Sequence, residues 1–167
     1  DLYFPKKSLQ SFPATLIVEY LMKSHRYYLD FKIPKIESLI SQLVWEEDHE
    51  QNLRLLTNFF NGYKKQLTSH IQEEEQTAYP YALEVEAQLN PAPTNHKQQT
   101  NVRQYSISKY ADSHDDIEEK LFDLKNIMIK YLPSPKNTNI YSEILSEIFK
   151  LEVELNEHSR IEENVLM

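Results

Sequence analysis

At 167 residues, with 40% hydrophobic residues, the chain is long enough to bury a core and too apolar for general disorder. Its formal net charge of −8 argues against nucleic acid binding by this segment, because phosphate recognition needs clustered Lys and Arg. Cysteine is absent, which excludes disulfides, thiolate catalysis and thiolate metal ligands.

The residue usage is that of an all-α protein. Leu, Ile, Glu, Lys and Gln dominate, there is a single glycine, and alternating Val, Ile and Thr runs are absent. No apolar run approaches about 18 residues and no signal peptide is present, so we expect a soluble, cytoplasmic protein without a membrane partner. The chain begins at Asp1 and stops at Met167 directly after a helical pattern, from which we expect an excerpt of a longer protein.

The first part of the chain predicts an irregular lead-in followed by a long helix. Residues 1–12 lack a helical period, whereas residues 13–45 have one, and the domain is expected to span residues 13–167. Pro34 should kink or restart this helix, because proline cannot donate the backbone hydrogen bond of a helix interior. Residues 46–50 are polar and predict a tight connection.

Three further helices are predicted in the remaining sequence. The second covers about residues 51–81, with Pro80 marking a kink or an end, and a loop is predicted at 90–100. The third covers about residues 104–132 and ends at a Pro-Ser-Pro sequence. The fourth begins near residue 138 and continues to the end of the chain. The predicted fold is an antiparallel up-down-up-down four-helix bundle.

Four histidines recur along the chain at intervals of 45, 44 and 44 residues. Two of them are followed four residues later by a glutamate, so that both side chains project from one helix face one turn apart. Imidazole and carboxylate groups together are typical ligands of transition metals. The predicted metal ligands are His25, His70, Glu74, His114, His158 and Glu162.

On three helices these donors continue an apolar stripe with steps of three and four residues, which predicts that they point into the core. A buried carboxylate is costly unless it is paired or bound to a cation. The apolar members are Leu53, Leu56, Phe60, Tyr63 and Leu67 on the second helix; Ile107, Tyr110, Ile117, Leu121, Leu124, Met128 and Tyr131 on the third; and Ile144, Ile148, Leu151 and Leu155 on the fourth.

The four histidines are also predicted to lie at one level. His25 precedes a turn near residue 47 by 22 residues and His70 follows it by 23. His114 precedes a second turn near residue 136 by 22 residues and His158 follows it by 22. At a rise of about 1.5 Å per residue, each imidazole lies about 33 Å from its turn. The remaining two histidines fall in a turn and in the predicted loop, and we expect both to face solvent: His49 and His96.

Four imidazoles and two carboxylates can hold two divalent metals, each with two histidines, if both carboxylates bridge. Iron, manganese or zinc suits this donor set, and an octahedral metal keeps positions for a bridging oxide and a small exogenous molecule. A metal-free bundle with hydrogen-bonded core histidines remains the alternative. Weaker candidates near the site, each with a purely structural interpretation, are Asp30, Glu118, Tyr28 and Tyr110.

Over about residues 14–167 the sequence resembles the hemerythrin-like family, also called HHE cation-binding domains. The resemblance implies a four-helix bundle that holds an oxo-bridged, non-haem di-iron centre. Glu at both +4 positions is more similar to the di-iron proteins that repair iron–sulfur clusters after stress, and Glu118 stands where oxygen carriers have a second histidine. The matching segments are 20–25, 67–80, 113–117 and 155–167.

This resemblance leaves two functional hypotheses. In the first, the di-iron centre reacts with dioxygen, nitric oxide or peroxide in stress defence or cluster repair. In the second, the same centre is the gas or redox sensor of a longer regulator, which binds DNA through another domain. Whether the protein is an enzyme stays open at this stage.

Overall fold

The computed structural model describes residues 5–89 and 107–166 of the chain. Every regular element in those ranges is helical, which confirms the predicted all-α class. Seven α-helices and four π-helical turns are present in this part. The α-helices are α1 (Lys6–Leu9), α2 (Ala14–Tyr27), α3 (Ile33–Ile40), α4 (His49–Glu73), α5 (Tyr79–Leu89), α6 (Ile107–Asn126) and α7 (Thr138–Ile161), and the π-turns are Tyr28–Lys32, Glu74–Ala78, Ile127–Tyr131 and Glu162–Leu166.

Because the π-turns join or extend the α-helices, the chain forms four long helices. The first consists of α2 and α3, the second of α4 and α5, the third of α6 and the fourth of α7, each with its π-turn. The first long helix contacts the second and the fourth, and the third also contacts both of these. The helix α1 lies within the lead-in that was predicted to be irregular and contacts the π-turn at 162–166. The predicted loop at 90–100 lies outside the described residues.

Three of the four π-turns begin six residues before a proline. The residue that precedes the proline donates its backbone N–H to the carbonyl five positions earlier: Ile33 to Tyr28, Tyr79 to Glu74, and Leu132 to Ile127. A proline offers no N–H and its ring crowds the carbonyl four residues earlier, and a widened turn relieves that crowding. The breaks predicted at Pro34 and Pro80 are therefore π-turns within continuing helices.

The apolar stripes are buried as predicted over most of their length. On the second helix Leu56, Phe60, Tyr63 and Leu67 are each at most 1% exposed, and the fourth-helix stripe is buried throughout. Among the stripe residues whose side chains are described, Leu53 is half-buried and Tyr131 is 76% exposed. The π-turn at 127–131 adds a residue to the helical turn and rotates the end of this helix out of phase.

The two predicted turns lie side by side and are hydrogen-bonded to each other. The indole Nε1 of the buried Trp45 donates to the carbonyl of Pro133 over 2.8 Å, and the backbone N–H of Val44 donates to Asn137 Oδ1 over 3.0 Å. Helix α3 ends at Ile40, earlier than predicted, so that Trp45 packs as part of this connection. Since both turns are at one end of the molecule, equal distances from them place residues at one level.

Apolar packing is divided into a large and a small core cluster. The large cluster is built from residues of all four long helices, the first in sequence being Tyr28 and the last Leu155. The small cluster contains Ile17, Val18, Leu21, Ala78 and Tyr79. Along their helices, His25 and Glu74 lie between residues of the two clusters, whereas His70 is flanked by residues of the large cluster. On the fourth helix the predicted ligands follow Leu155 of the large cluster. No helix in residues 5–89 or 107–166 has the length and apolar character needed to cross a membrane.

Candidate metal centre

The predicted ligands meet at one place between the two core clusters. The first helix contributes one of them, the second helix two, the third one and the fourth two. Five are at most 6% exposed, and the side chain of His70 is 10% exposed. Their donor atoms form two groups, each with all its donor atoms within 4.8 Å of one another. The first group is His25, Glu74, His158 and Glu162, and the second group is His70, Glu74 and His114.

In the first group, two imidazoles from different helices face each other. His25 Nε2 lies 2.9 Å from His158 Nε2 and 3.2 Å from Glu74 Oε2. His158 Nε2 lies 3.2 Å from Glu162 Oε1. Two imidazole nitrogens and one oxygen from each of two carboxylates therefore converge on one point.

The second group repeats this pattern with the other oxygens of the same carboxylates. Glu74 Oε1 lies 2.8 Å from His70 Nε2 and 3.1 Å from His114 Nε2. Glu162 Oε2 lies 3.1 Å from the same His114 nitrogen. Glu74 thus directs one oxygen to each pair of histidines, and Glu162 directs one oxygen to His158 and the other to His114.

The charge state of the metal-free site follows from these contacts. Burial opposes ionisation of Glu74, but hydrogen bonds from His114, His25 and His70 outweigh it and hold the pKa of Glu74 well below its usual value. Burial also lowers the pKa of His114, while hydrogen bonds to Glu162 and Glu74 raise it to about 10. Two buried carboxylates are therefore stabilised by imidazolium protons, and a bound cation can take over that role.

A second layer of carboxylates orients two of the imidazoles. The Nδ1 of His25 donates to Glu75 Oε1 over 2.9 Å, and the Nδ1 of His114 donates to Glu163 Oε1 over 3.2 Å. These hydrogen bonds leave the Nε2 atom of each ring directed to the centre. Histidine ligands of metals are commonly held in this way by a carboxylate on the outer ring nitrogen.

A small cavity of about 20 Å³ lies beside the two groups. Besides the six donors, its walls are largely apolar: Leu67, Ile71, Ile117 and Leu155 line it together with Tyr28. This volume is enough for one water-sized molecule. The buried His and Glu groups can therefore hold a metal ion, with space beside them for a molecule of few atoms.

The weaker candidates lie at the margin of the site or away from it. Glu118 is exposed but lines the cavity, while Ile117 continues the buried seam as predicted. Tyr28 places its ring edge against His158 and donates its hydroxyl to the carbonyl of Glu154 over 3.3 Å. Asp30 is exposed. His96 lies outside the described residues, and the side chain of Tyr110 is not among those described.

His49 begins helix α4, where its ring packs beside Trp45 at the turn and away from the two groups. His49 therefore lies at the turn and outside the site, as predicted. It does not face solvent as expected, because it is half-buried and its Nδ1 accepts a hydrogen bond from the backbone N–H of Trp45 over 3.3 Å.

Sequence reasoning missed three residues that contact the site. Glu75 and Glu163 directly follow Glu74 and Glu162, and the doubled Glu in both motifs was the available signal. Tyr79 donates its hydroxyl to Glu162 Oε1 over 2.5 Å. It stands five residues after Glu74, a spacing that leaves the seam of an ordinary α-helix, and the π-turn at 74–78 brings it inward.

No protein-family model matches this chain, and neither the curated proteins nor the solved structures compared with it include a match. Membership of the hemerythrin-like family therefore stays a prediction from the motifs. The chemistry of the buried donors carries the functional argument.

Proposed function

We propose that the chain is an antiparallel four-helix bundle that binds two non-haem iron ions and reacts with dioxygen, nitric oxide or peroxide. The observation that carries this proposal is that two buried carboxylates, Glu74 and Glu162, each contact imidazoles of both histidine pairs. Without a cation, so many ionisable groups in a core would be costly.

The donor set favours iron or a similar first-row metal. Each pair of histidines offers two imidazole nitrogens and an oxygen of Glu74, and Glu162 directs one oxygen to His158 and the other to His114. This donor set contains no sulfur and suits iron, manganese or zinc. His25 and His158 would hold one ion, His70 and His114 the other, and the two glutamates would bridge them. Bound iron would supply the redox and binding chemistry of small oxygen or nitrogen species, which the side chains alone do not provide.

The protein around the donors restricts what can reach them. Leu67, Ile71, Ile117 and Leu155 exclude bulk water from the cavity, whose size fits a diatomic molecule or peroxide better than an organic substrate. Glu75 and Glu163 fix the orientation of two imidazoles. This arrangement supports a role in stress defence or repair of iron–sulfur clusters, in line with the resemblance of the motifs.

Anaerobic titration of the metal-free protein with ferrous iron, followed by exposure to air, tests the proposal. We expect two iron ions per chain and the near-ultraviolet absorption of paired ferric ions. The variant His158→Ala should lose both, whereas the matched control His49→Ala should keep them, because His49 lies at the turn beside Trp45. Less than one metal per chain, unchanged by added iron, would support a metal-free structural bundle instead.

A further inference from the structure

The phenol of Tyr79 lies at the edge of the first group. Its side chain is buried, and its hydroxyl oxygen lies 3.1 Å from His25 Nε2 and 3.4 Å from His158 Nε2, in addition to its contact with Glu162. Its ring stacks on the His25 ring with centroids 5.6 Å apart and an angle of 11° between the planes. The oxygen atom therefore touches three of the four residues of this group.

These distances are those between neighbouring ligands of one metal. Around an octahedral ion with bonds of about 2.1 Å, adjacent donor atoms are separated by about 3 Å. The donor pairs of the first group follow this spacing, with 2.9 Å between His25 Nε2 and His158 Nε2 and 3.2 Å between His25 Nε2 and Glu74 Oε2. The Tyr79 oxygen is close to this spacing from the two imidazoles, at 3.1 Å from His25 Nε2 and 3.4 Å from His158 Nε2, while its hydrogen bond to Glu162 Oε1 is shorter, at 2.5 Å.

The backbone is built so that Tyr79 reaches this position. In an α-helix a residue five positions after Glu74 would point about 140° away from it. Here the N–H of Tyr79 bonds to the carbonyl of Glu74, so the π-turn places both side chains on the same face. The turn is associated with Pro80, which directly follows the tyrosine.

From this geometry we infer that the Tyr79 oxygen is a protein ligand of the metal held by His25 and His158. The inference rests on the proposed dinuclear centre. On binding, the O–H bond breaks, an oxygen–metal bond forms and the proton leaves to solvent, as for other protonated donors that bind metals. Tyrosinate is an established ligand of ferric iron in haem proteins.

The inference makes the two metal positions unequal. The first would have five protein donors and the second only four, from His70, His114 and the two bridging carboxylates. A small exogenous molecule then finds more open positions at the second metal. Tyr79 belongs to the small core cluster, whereas the cavity is lined by residues of the large cluster, so the tyrosine leaves the cavity free.

A spectroscopic experiment on the iron-loaded ferric protein tests this ligand. Phenolate bound to ferric iron gives a charge-transfer band in the visible region and resonance Raman bands of the ring. We expect both in the wild-type protein, with complete loss in Tyr79→Phe although two iron ions per chain remain bound. The matched control is Tyr28→Phe, which removes another buried phenol that touches His158 but donates its hydroxyl to the Glu154 carbonyl. It should keep the band.

Incorporation of ring-deuterated tyrosine into the wild-type protein provides a second measurement that needs no variant. It should shift the Raman bands, which shows that a tyrosinate is the ligand. Together with bands that survive Tyr28→Phe, this result keeps the inference testable even if Tyr79→Phe folds poorly. A wild-type protein that binds two ferric ions without the visible band, or a band that survives Tyr79→Phe, would overturn the inference and leave the dinuclear centre intact. A protein that binds no iron would overturn both.

Discussion

Replacement of Glu74 by glutamine should lower the free energy of unfolding of the metal-free protein more than any other single isosteric change at the site. Glu74 is 1% exposed and contacts three imidazoles, at 2.8 Å for His70, 3.1 Å for His114 and 3.2 Å for His25. Hydrogen bonds to charged groups contribute about 1.5–3 kcal/mol each, and removal of one partner of a buried ion pair costs about 3–5 kcal/mol. Because glutamine keeps one acceptor oxygen, we expect Glu74→Gln to lower the free energy of unfolding by about 3 kcal/mol.

Urea unfolding in the presence of a chelator measures this change, with Glu75→Gln as the matched control. Glu75 is next in sequence, its side chain is 32% exposed, and it hydrogen-bonds a single imidazole. Its replacement should cost less than about 1 kcal/mol, as for other partly exposed pairs. Equal stability of Glu74→Gln and Glu75→Gln would contradict this prediction, because it would mean that the buried carboxylate of Glu74 does not stabilise the imidazolium groups.

The stability lost in Glu74→Gln should also depend on pH, and the protonation of His114 determines the direction of this dependence. The folded-state pKa of His114 is raised from 6.5 to about 10, against the effect of burial, by hydrogen bonds to Glu162 and Glu74. The stabilisation by its proton is thus fully present below pH 6.5 and is lost as the pH rises through about 10. The difference between wild type and variant should therefore be largest near pH 6.5 and shrink towards pH 10.

Four substitutions give three separate predictions. Glu75→Gln should lower the metal affinity of the first group by about 10–100-fold, and Glu163→Gln should do the same for the second group, because each carboxylate orients one imidazole. Competition with a chelator during iron titration measures both affinities. Tyr63→Phe should raise the free energy of unfolding by about 1 kcal/mol, since the buried hydroxyl has no hydrogen-bond partner among the described residues, and a loss of stability would contradict this. Trp45→Phe should lower it by about 1–3 kcal/mol in urea unfolding, because the carbonyl of Pro133 loses its donor between the two turns.

The level of the histidines could be predicted because two regularities are strict. The rise per residue of a helix is nearly constant, and both short connections are at one end of the molecule. Counting residues from each turn therefore predicted that His25 and His70, and likewise His114 and His158, reach the same height. The stripes of the second and fourth helices were equally predictable, since side chains three and four residues apart share a face.

The orientation of residues next to the π-turns could not be predicted from the helical period. Tyr79 lies outside a seam of period 3.6 and yet reaches Glu162, and Tyr131 lies on such a seam and yet points to solvent. In both places the backbone gains a residue per turn near a proline, so the side chains beyond it rotate. The prolines are visible in the sequence, but whether one ends, kinks or widens a helix depends on what the helix packs against.

The amino-acid sequence is sufficient to predict which donors enter the core and how far along the bundle they lie. Both depend on local properties, namely the helical period and the number of residues between each donor and its turn. The pairing of His25 with His158 and of His70 with His114, each across two helices, depends instead on how the helices pack. Each long helix has two neighbours, and the rotation that directs a side chain to one or the other is set by packing along the whole helix. That rotation also decided that the phenol of Tyr79 faces the first pair.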